Sequence, residues 1–245
     1  MNIFKEILAR ILALWAISCF VVTLLVFFLP IWISGLWSEP KSTDKLLRIT
    51  RFWMKIYFVL IGMRLRVKGK EKFKKGISYI VVCNHNSMMD VPITSPGIPG
   101  INKTIAKIEM SHIPIFGIIY KMGSVLLDRK NEESRKGSYG RMKEVLEMGM
   151  HMCIYPEGTR NKTDQPLQSF HSGAFRLALE SGSPILPAVI LNTKKVFPAN
   201  KFFYYWPAKV EMHFLEPVAA GLQTSEQLKE KVFKTMWNFI EKHQN

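Results

Sequence analysis

The run Asn84-His85-Asn86-Ser87-Met88-Met89-Asp90 sets an imidazole and a carboxylate five residues apart. A carboxylate that holds an imidazole fixes its tautomer and stabilises the imidazolium formed when the free ring nitrogen takes a proton. On one continuous helix, residues five apart diverge by about 140°, so contact between His85 and Asp90 requires a turn. Val91-Pro92 follows, and proline suits the first turn of a helix, which makes Asp90 the expected N-cap of a helix starting there. Taken alone, H-x-x-x-x-D is more often a strand-end histidine followed by a helix cap. No third ligand stands at a recognised metal-site spacing, so no metal is expected.

Two further clusters carry charge. Tyr155-Pro156-Glu157-Gly158-Thr159-Arg160 follows an apolar run; its glycine permits close backbone approach, and its arginine can fork onto a phosphate or carboxylate. Gly123-Ser124-Val125-Leu126-Leu127-Asp128-Arg129 brings a second arginine to the end of another apolar run. The G-x-S-x-G turn of an α/β serine hydrolase is absent. Without a protein nucleophile, a His–Asp pair most simply activates a hydroxyl of the substrate, as in acyl transfer to an alcohol.

These groups need a scaffold that delivers them to one place. Short apolar runs predict strands over Ile77–Cys83, Ser124–Leu127, Met152–Tyr155 and Ile185–Leu191. Helical spacing covers Ser134–Met148, Ala174–Glu180 before Gly182, and Ser225–Lys242. Alternation of this kind specifies an α/β fold, a mixed or largely parallel sheet flanked by helices. Each charged cluster directly follows a strand, and open α/β sheets hold ligands outside the carboxyl ends of their strands.

The chain starts differently. Ile11 to Ser38 contains no charged residue, long enough for a membrane helix, with Trp32 and Trp37 as interface anchors. A cleaved signal peptide is disfavoured, because the apolar stretch is too long and no A-x-A-like site follows. From Thr43 to Met63, Lys45, Arg48, Arg51 and Lys55 form a basic stripe on a helix expected to lie in the membrane interface. The expected division is a membrane-associated helical motif over 1–65 and a catalytic domain over 66–245. Thirty-four Lys and Arg against 19 Asp and Glu give +15, which suits an anionic partner such as a lipid headgroup, an acidic carrier or a phosphorylated substrate. Nucleic acid is excluded as a partner, since charge is its only support and no binding motif accompanies it. Cys19, Cys83 and Cys153 form no CxxC pair and read as reduced, buried thiols, which favours a cytoplasm-facing catalytic domain.

Taken in order, these motifs resemble the glycerolipid acyltransferase family, and within it the 1-acylglycerol-3-phosphate acyltransferases. The first block, NHxxxxD, is matched by Asn84 to Asp90, and the arginine-ended second by Gly123 to Arg129. EGTR is matched at Glu157 to Arg160, and the proline-containing fourth by Pro184-Ile185-Leu186-Pro187. Ala106-Lys107-Ile108-Glu109 and Pro114-Ile115-Phe116-Gly117 also fall where the family has similar residues. The resemblance covers about 78–192 and departs at Phe170-His171-Ser172-Gly173, where the family commonly has Phe-Lys-x-Gly.

The resemblance implies His85 as general base and Asp90 as its orienting partner. It implies an acceptor site of Arg129, Glu157, Gly158, Thr159 and Arg160 with Lys107 nearby, and an amino-terminal two-helix membrane motif. The reaction it implies moves an acyl group from acyl-CoA or acyl-acyl carrier protein, as co-substrate and with no bound cofactor, to the sn-2 hydroxyl of 1-acylglycerol-3-phosphate. Glycerol-3-phosphate, a lyso-aminolipid or another lysophospholipid stands as an alternative acceptor, and a non-catalytic module that binds anionic membrane lipid as an alternative of another class.

Overall fold

The computed structural model describes residues 3–128 and 130–243. In chain order the elements begin with α1 (Ile3–Ser34), α2 (Lys41–Leu60), β1 (Arg64–Lys68), β2 (Ile80–Cys83) and α3 (Asp90–Gly97). They continue with β3 (Asn102–Lys107), α4 (Phe116–Gly123), β4 (Ser124–Leu127), α5 (Glu132–Glu147) and β5 (His151–Ile154). The chain ends with α6 (Gly173–Ser181), β6 (Ile185–Leu191), α7 (Thr193–Val196), β7 (Lys209–Phe214) and α8 (Ser225–His243).

Every residue of β2, β5 and β6 is buried. Strands covered on both faces read as unbroken apolar runs, and such strands form the middle of parallel sheets. The seven-stranded sheet has the order β1-β7-β6-β2-β5-β3-β4. β2 to β6 run parallel, β7 pairs antiparallel with β6, and β1 runs with β7. The sheet is therefore mixed and mostly parallel, flanked by helices. The carboxyl ends of β2 to β6 and the starts of β7 and β1 share one edge.

Alternation along the strands divides the core. Val81 and Cys83 pack with α1, α2, α3 and α4, whereas Ile80 and Val82 pack with α5, α6 and α8. The second layer rests on Leu228, Val232, Met236 and Ile240, a one-sided stripe of α8 in which each buried side chain contributes about 1.5–3 kcal/mol. Asn131 caps α5 by accepting the Ser134 N–H at 3.0 Å, and α6 ends on Gly182 at φ +69°.

β1, β3 and β7 lie outside the expected strands. Charged residues interrupt them: β1 exposes Arg64, Arg66 and Lys68 while Leu65 and Val67 pack inward.

α1 and α2 run antiparallel. The Trp15 indole donates to the Leu60 carbonyl at 2.9 Å, and the Trp53 indole to Thr23 Oγ1 at 2.8 Å. Small residues, Ala9, Ala13, Ala16 and Cys19, form the buried face of α1, while Ile11, Leu14, Val22, Leu25 and Leu29 are exposed. Both ends of α1 touch the α/β body. At the start, Lys201 pairs with Glu6 at 2.6 Å and the Tyr205 N–H donates to the Ala9 carbonyl at 3.2 Å. At the far end, a Cβ on Gly35 would come within 3.2 Å of Met122 Sδ.

The basic stripe of α2 is divided: Arg51 is taken up inside the fold, whereas Arg48 and Lys55 stay exposed. Arg51 donates to the carbonyls of Pro96, Ile98 and Gly100, Arg48 pairs with Asp44, and Lys45 lies 3.9 Å from the Trp37 ring centroid.

Candidate active site

β2 ends at Cys83 in the middle of the sheet, so His85 emerges at its carboxyl edge. The Asn84 side chain locks this exit: its amide donates to the Ile190 carbonyl at 2.9 Å and its oxygen accepts the Ile190 N–H at 2.7 Å. The chain then turns, and His85 Nδ1 meets Asp90 Oδ2 at 2.8 Å. The same oxygen accepts the N–H groups of Asn86 and Ser87 at 2.6 and 2.7 Å. Asp90 is itself the first residue of α3, so its carboxylate closes the preceding turn instead of capping its own helix, correcting the N-cap expectation. With Nδ1–H donated to a fully buried carboxylate, Nε2 is left as the nitrogen able to accept a proton.

The second cluster holds the first by its backbone. Glu157 Oε1 accepts the His85 N–H at 2.7 Å, Oε2 accepts the Gln168 N–H at 2.9 Å, and the Asn161 N–H donates to the His85 carbonyl at 2.6 Å. Expected within the acceptor site, Glu157 thus has both oxygens engaged by main-chain amides. Burial raises its pKa to about 7, against the lowering effect of those two amides. Gly158 turns the chain in the left-handed region at φ +70°, where a side chain is strained.

Arg160 is half-buried and makes no side-chain hydrogen bond or ion pair with the described residues, and Thr159 is exposed. Lys107 is exposed at the carboxyl end of β3. Arg129 lies outside the described residues. Tyr155, Asn161 and Gln168 were not singled out from sequence. The Tyr155 ring lies 4.5 Å from that of His85, and its hydroxyl shares a 2.6 Å hydrogen bond with Thr94. Position in the motif and directly after it was the only signal for Tyr155 and Asn161.

An apolar cavity of about 310 Å³ opens beside this loop, lined by Phe20, Trp53, Met88, Met89, Phe116 and Phe197 among others. Met88 and Met89 belong to the His85–Asp90 turn, so the turn that carries the imidazole also forms part of the cavity wall. Among the described residues, no group of three or more His, Cys, Asp or Glu is arranged to hold a metal ion.

A family model described as Acyltransferase matches residues 64–191, from the first residue of β1 to the last of β6 and more than half of the chain. The chain belongs to the Acyltransferase family. Named relatives of this acyltransferase include the 1-acyl-sn-glycerol-3-phosphate acyltransferase of Borreliella burgdorferi, 30% identical over 74% of this chain and 72% of that one. The coconut (Cocos nucifera) enzyme of the same name is 30% identical over 65% of this chain, which spans only 51% of its length. The crystal structure of the 1-acyl-sn-glycerophosphate (LPA) acyltransferase PlsC from Thermotoga maritima is similar throughout, with a TM-score of 0.84, 25% identity and 97% of each chain covered.

Proposed function

We propose that this acyltransferase moves a fatty acyl group from acyl-CoA or acyl-acyl carrier protein to the free sn-2 hydroxyl of 1-acylglycerol-3-phosphate, forming phosphatidic acid. The observation that carries the reading is the 2.8 Å His85–Asp90 pair sharing its turn with the wall of an apolar cavity. A base and a space for a hydrocarbon chain are the two requirements of acyl transfer to a lipid alcohol. The names of the relatives support the acceptor.

In this mechanism His85 Nε2 takes the hydroxyl proton as the acceptor oxygen attacks the thioester carbonyl. Asp90 stabilises the resulting imidazolium. Collapse of the tetrahedral intermediate breaks the C–S bond, and the imidazolium returns its proton to the departing sulfur. Arg160 and Lys107, at the carboxyl edge of the sheet, hold the acceptor phosphate together with Arg129 of the second motif.

Residues 1–65 seat the enzyme in the membrane, and residues 66–245 carry the chemistry on its cytoplasmic face, where soluble thioester donors are found. α1, at 32 residues, has a length of about 48 Å and is apolar enough to cross a bilayer. Because both its ends are packed on the same α/β body, it lies along one face of the membrane instead of carrying its ends to opposite sides.

The test is a thioester-dependent assay across 1-acylglycerol-3-phosphate, glycerol-3-phosphate and other lysophospholipids, with His85→Ala beside the native protein. Product from the first acceptor, and almost none from a folded variant, is the expected result. Equal activity in the two proteins would remove His85 from the mechanism. Product from a different acceptor alone would keep the chemistry and replace the substrate.

A further inference from the structure

Cations collect at the carboxyl edge on both sides of His85. On the β5, β3 and β4 side stand Arg160 and Lys107, already placed at the acceptor. On the other side β6 runs into Asn192, Thr193, Lys194 and Lys195, β7 begins with Lys209, and β1 begins with Arg64 directly opposite Lys209 in register. The Asn192 side chain donates to the Lys209 carbonyl at 3.1 Å, which fastens these starts and ends together. Lys195, Lys209 and Arg64 are exposed, and none has an ion-pair partner among the described residues. Lys194 is half-buried; its amine donates to the Thr163 carbonyl at 2.7 Å, two residues past Asn161, whose N–H donates to the His85 carbonyl, which sets it near the catalytic loop. The neighbouring acid of this row, Glu211, is occupied by Lys68 and His213.

The face on which the row lies decides what it meets. Leu65 and Val67 pack into the layer of α1 and α2, so Arg64, and Lys209 paired with it, point to the opposite face, the one covered by α8. The exposed apolar side of α1 belongs to the first layer. A lipid surface on α1 therefore leaves Arg64 and Lys209 facing water. With strands about 4.8 Å apart, cations at the edge of β6, β7 and β1 span roughly 10 Å or more, which suits several phosphates better than one.

We propose that Lys194, Lys195, Lys209 and Arg64 bind the phosphates of the soluble acyl donor, the phosphopantetheine-bearing carrier, while its acyl chain enters the cavity on the lipid-facing side. The proposal rests on the acyl-transfer reading above. The thioester carbonyl then lies at the sheet edge between the two layers, within reach of His85, with the acceptor phosphate held on the β5 side. Donor and acceptor are separated by the central strand that carries the base.

The test compares the native protein with Lys195→Glu/Lys209→Glu, and with Lys70→Glu/Lys231→Glu as a control carrying the same charge change at exposed sites elsewhere. Donors are acyl-CoA, acyl-acyl carrier protein and the phosphate-free acyl-pantetheine, assayed at fixed 1-acylglycerol-3-phosphate. The expected result is a rise of about tenfold in donor KM for the first variant, about 1.4 kcal/mol, shrinking with added salt. Acceptor KM, turnover of acyl-pantetheine and the control variant stay unchanged. A rise with acyl-CoA alone assigns the row to the nucleotide phosphates, and a rise with both assigns it to the shared phosphopantetheine phosphate; a rise with carrier protein alone assigns it to the carrier's acidic surface and overturns the phosphate assignment. Unchanged KM for both donors, an equal loss with acyl-pantetheine, or a matching loss of binding to anionic vesicles would overturn the proposal. Absence of thioester-dependent product from the native protein is a separate outcome that removes the acyl-transfer reading and this one with it.

Discussion

Glu157 accepts the main-chain N–H of His85 at 2.7 Å, so the acid of one motif holds the base of another by its backbone, 72 residues away in sequence. The contact explains how two short loops from adjacent strands act as one unit. Its geometry makes Glu157 a positioning residue for His85, distinct from the side chains that meet substrate.

Glu157→Gln keeps the shape but offers one acceptor oxygen where the wild type offers two. One buried amide, of His85 or Gln168, then loses its partner, at a cost of about 1–3 kcal/mol, and kcat falls with the KM values little changed. The pH dependence separates this from simple damage. The folded pKa of about 7 lies above the ordinary 4.5, so the wild-type carboxyl contributes stability that is fully present below pH 4.5. That contribution is lost as pH rises to about 7, a difference of about 3 kcal/mol at most. Gln titrates nowhere in this window. Thermal unfolding should therefore show the variant losing least, relative to wild type, at pH 8 and most at pH 4.5. A pH-independent difference in Tm would contradict the assignment.

Asp90→Asn leaves an isosteric side chain but removes the charge that three donors share. The amide cannot hold the His85 tautomer, and an imidazolium gains no stabilisation. A loss of about 10³–10⁴ in kcat is expected by analogy with other oriented histidines, with the protein still folded by circular dichroism. A loss below tenfold would mean that Asp90 only shapes the turn.

Ser124 lines the cavity at the start of β4 and is buried. Ser124→Leu shortens the available space, and forcing a long chain past the added methyl groups costs about 1–3 kcal/mol. Competition between long and medium acyl donors should shift toward the shorter one by about tenfold. If both chain lengths fall equally, the cavity does not hold the acyl group.

Leu14 and Leu25 sit on the exposed side of α1, at 58% and 56% exposure. Leu14→Lys/Leu25→Glu touches no buried contact, so Tm in detergent should hold within a few degrees. Cosedimentation with liposomes should drop sharply, because each charge at a lipid-facing position opposes burial by about 2.5–3.5 kcal/mol at most. Undiminished sedimentation would place the membrane surface elsewhere.

Residues that act through their neighbours in sequence were legible before folding. β2 and β6 announce themselves as apolar runs, so the place of His85 at a strand end follows from local pattern, whereas its pairing with Asp90 rested on the resemblance of the ordered motifs. β1 was not legible, because as an edge strand it exposes every second residue, Arg64, Arg66 and Lys68; β7, inside the sheet, was not legible because Lys209, Glu211 and His213 alternate with its apolar residues. Arg51 counted as a free lipid-facing cation until tertiary packing brought three carbonyls of another segment to it. What the sequence by itself determined was the fold class, which rests on short periodicity, and the candidate chemistry, which rests on four motifs in order and their resemblance to a known family. The fold alone decided that Glu157 turns inward to His85, that both ends of α1 rest on one body, and that the cations of β6, β7 and β1 share one edge of the sheet. Each of these depends on strand order and on which face of the sheet a side chain takes, and neither is encoded by spacing along the chain.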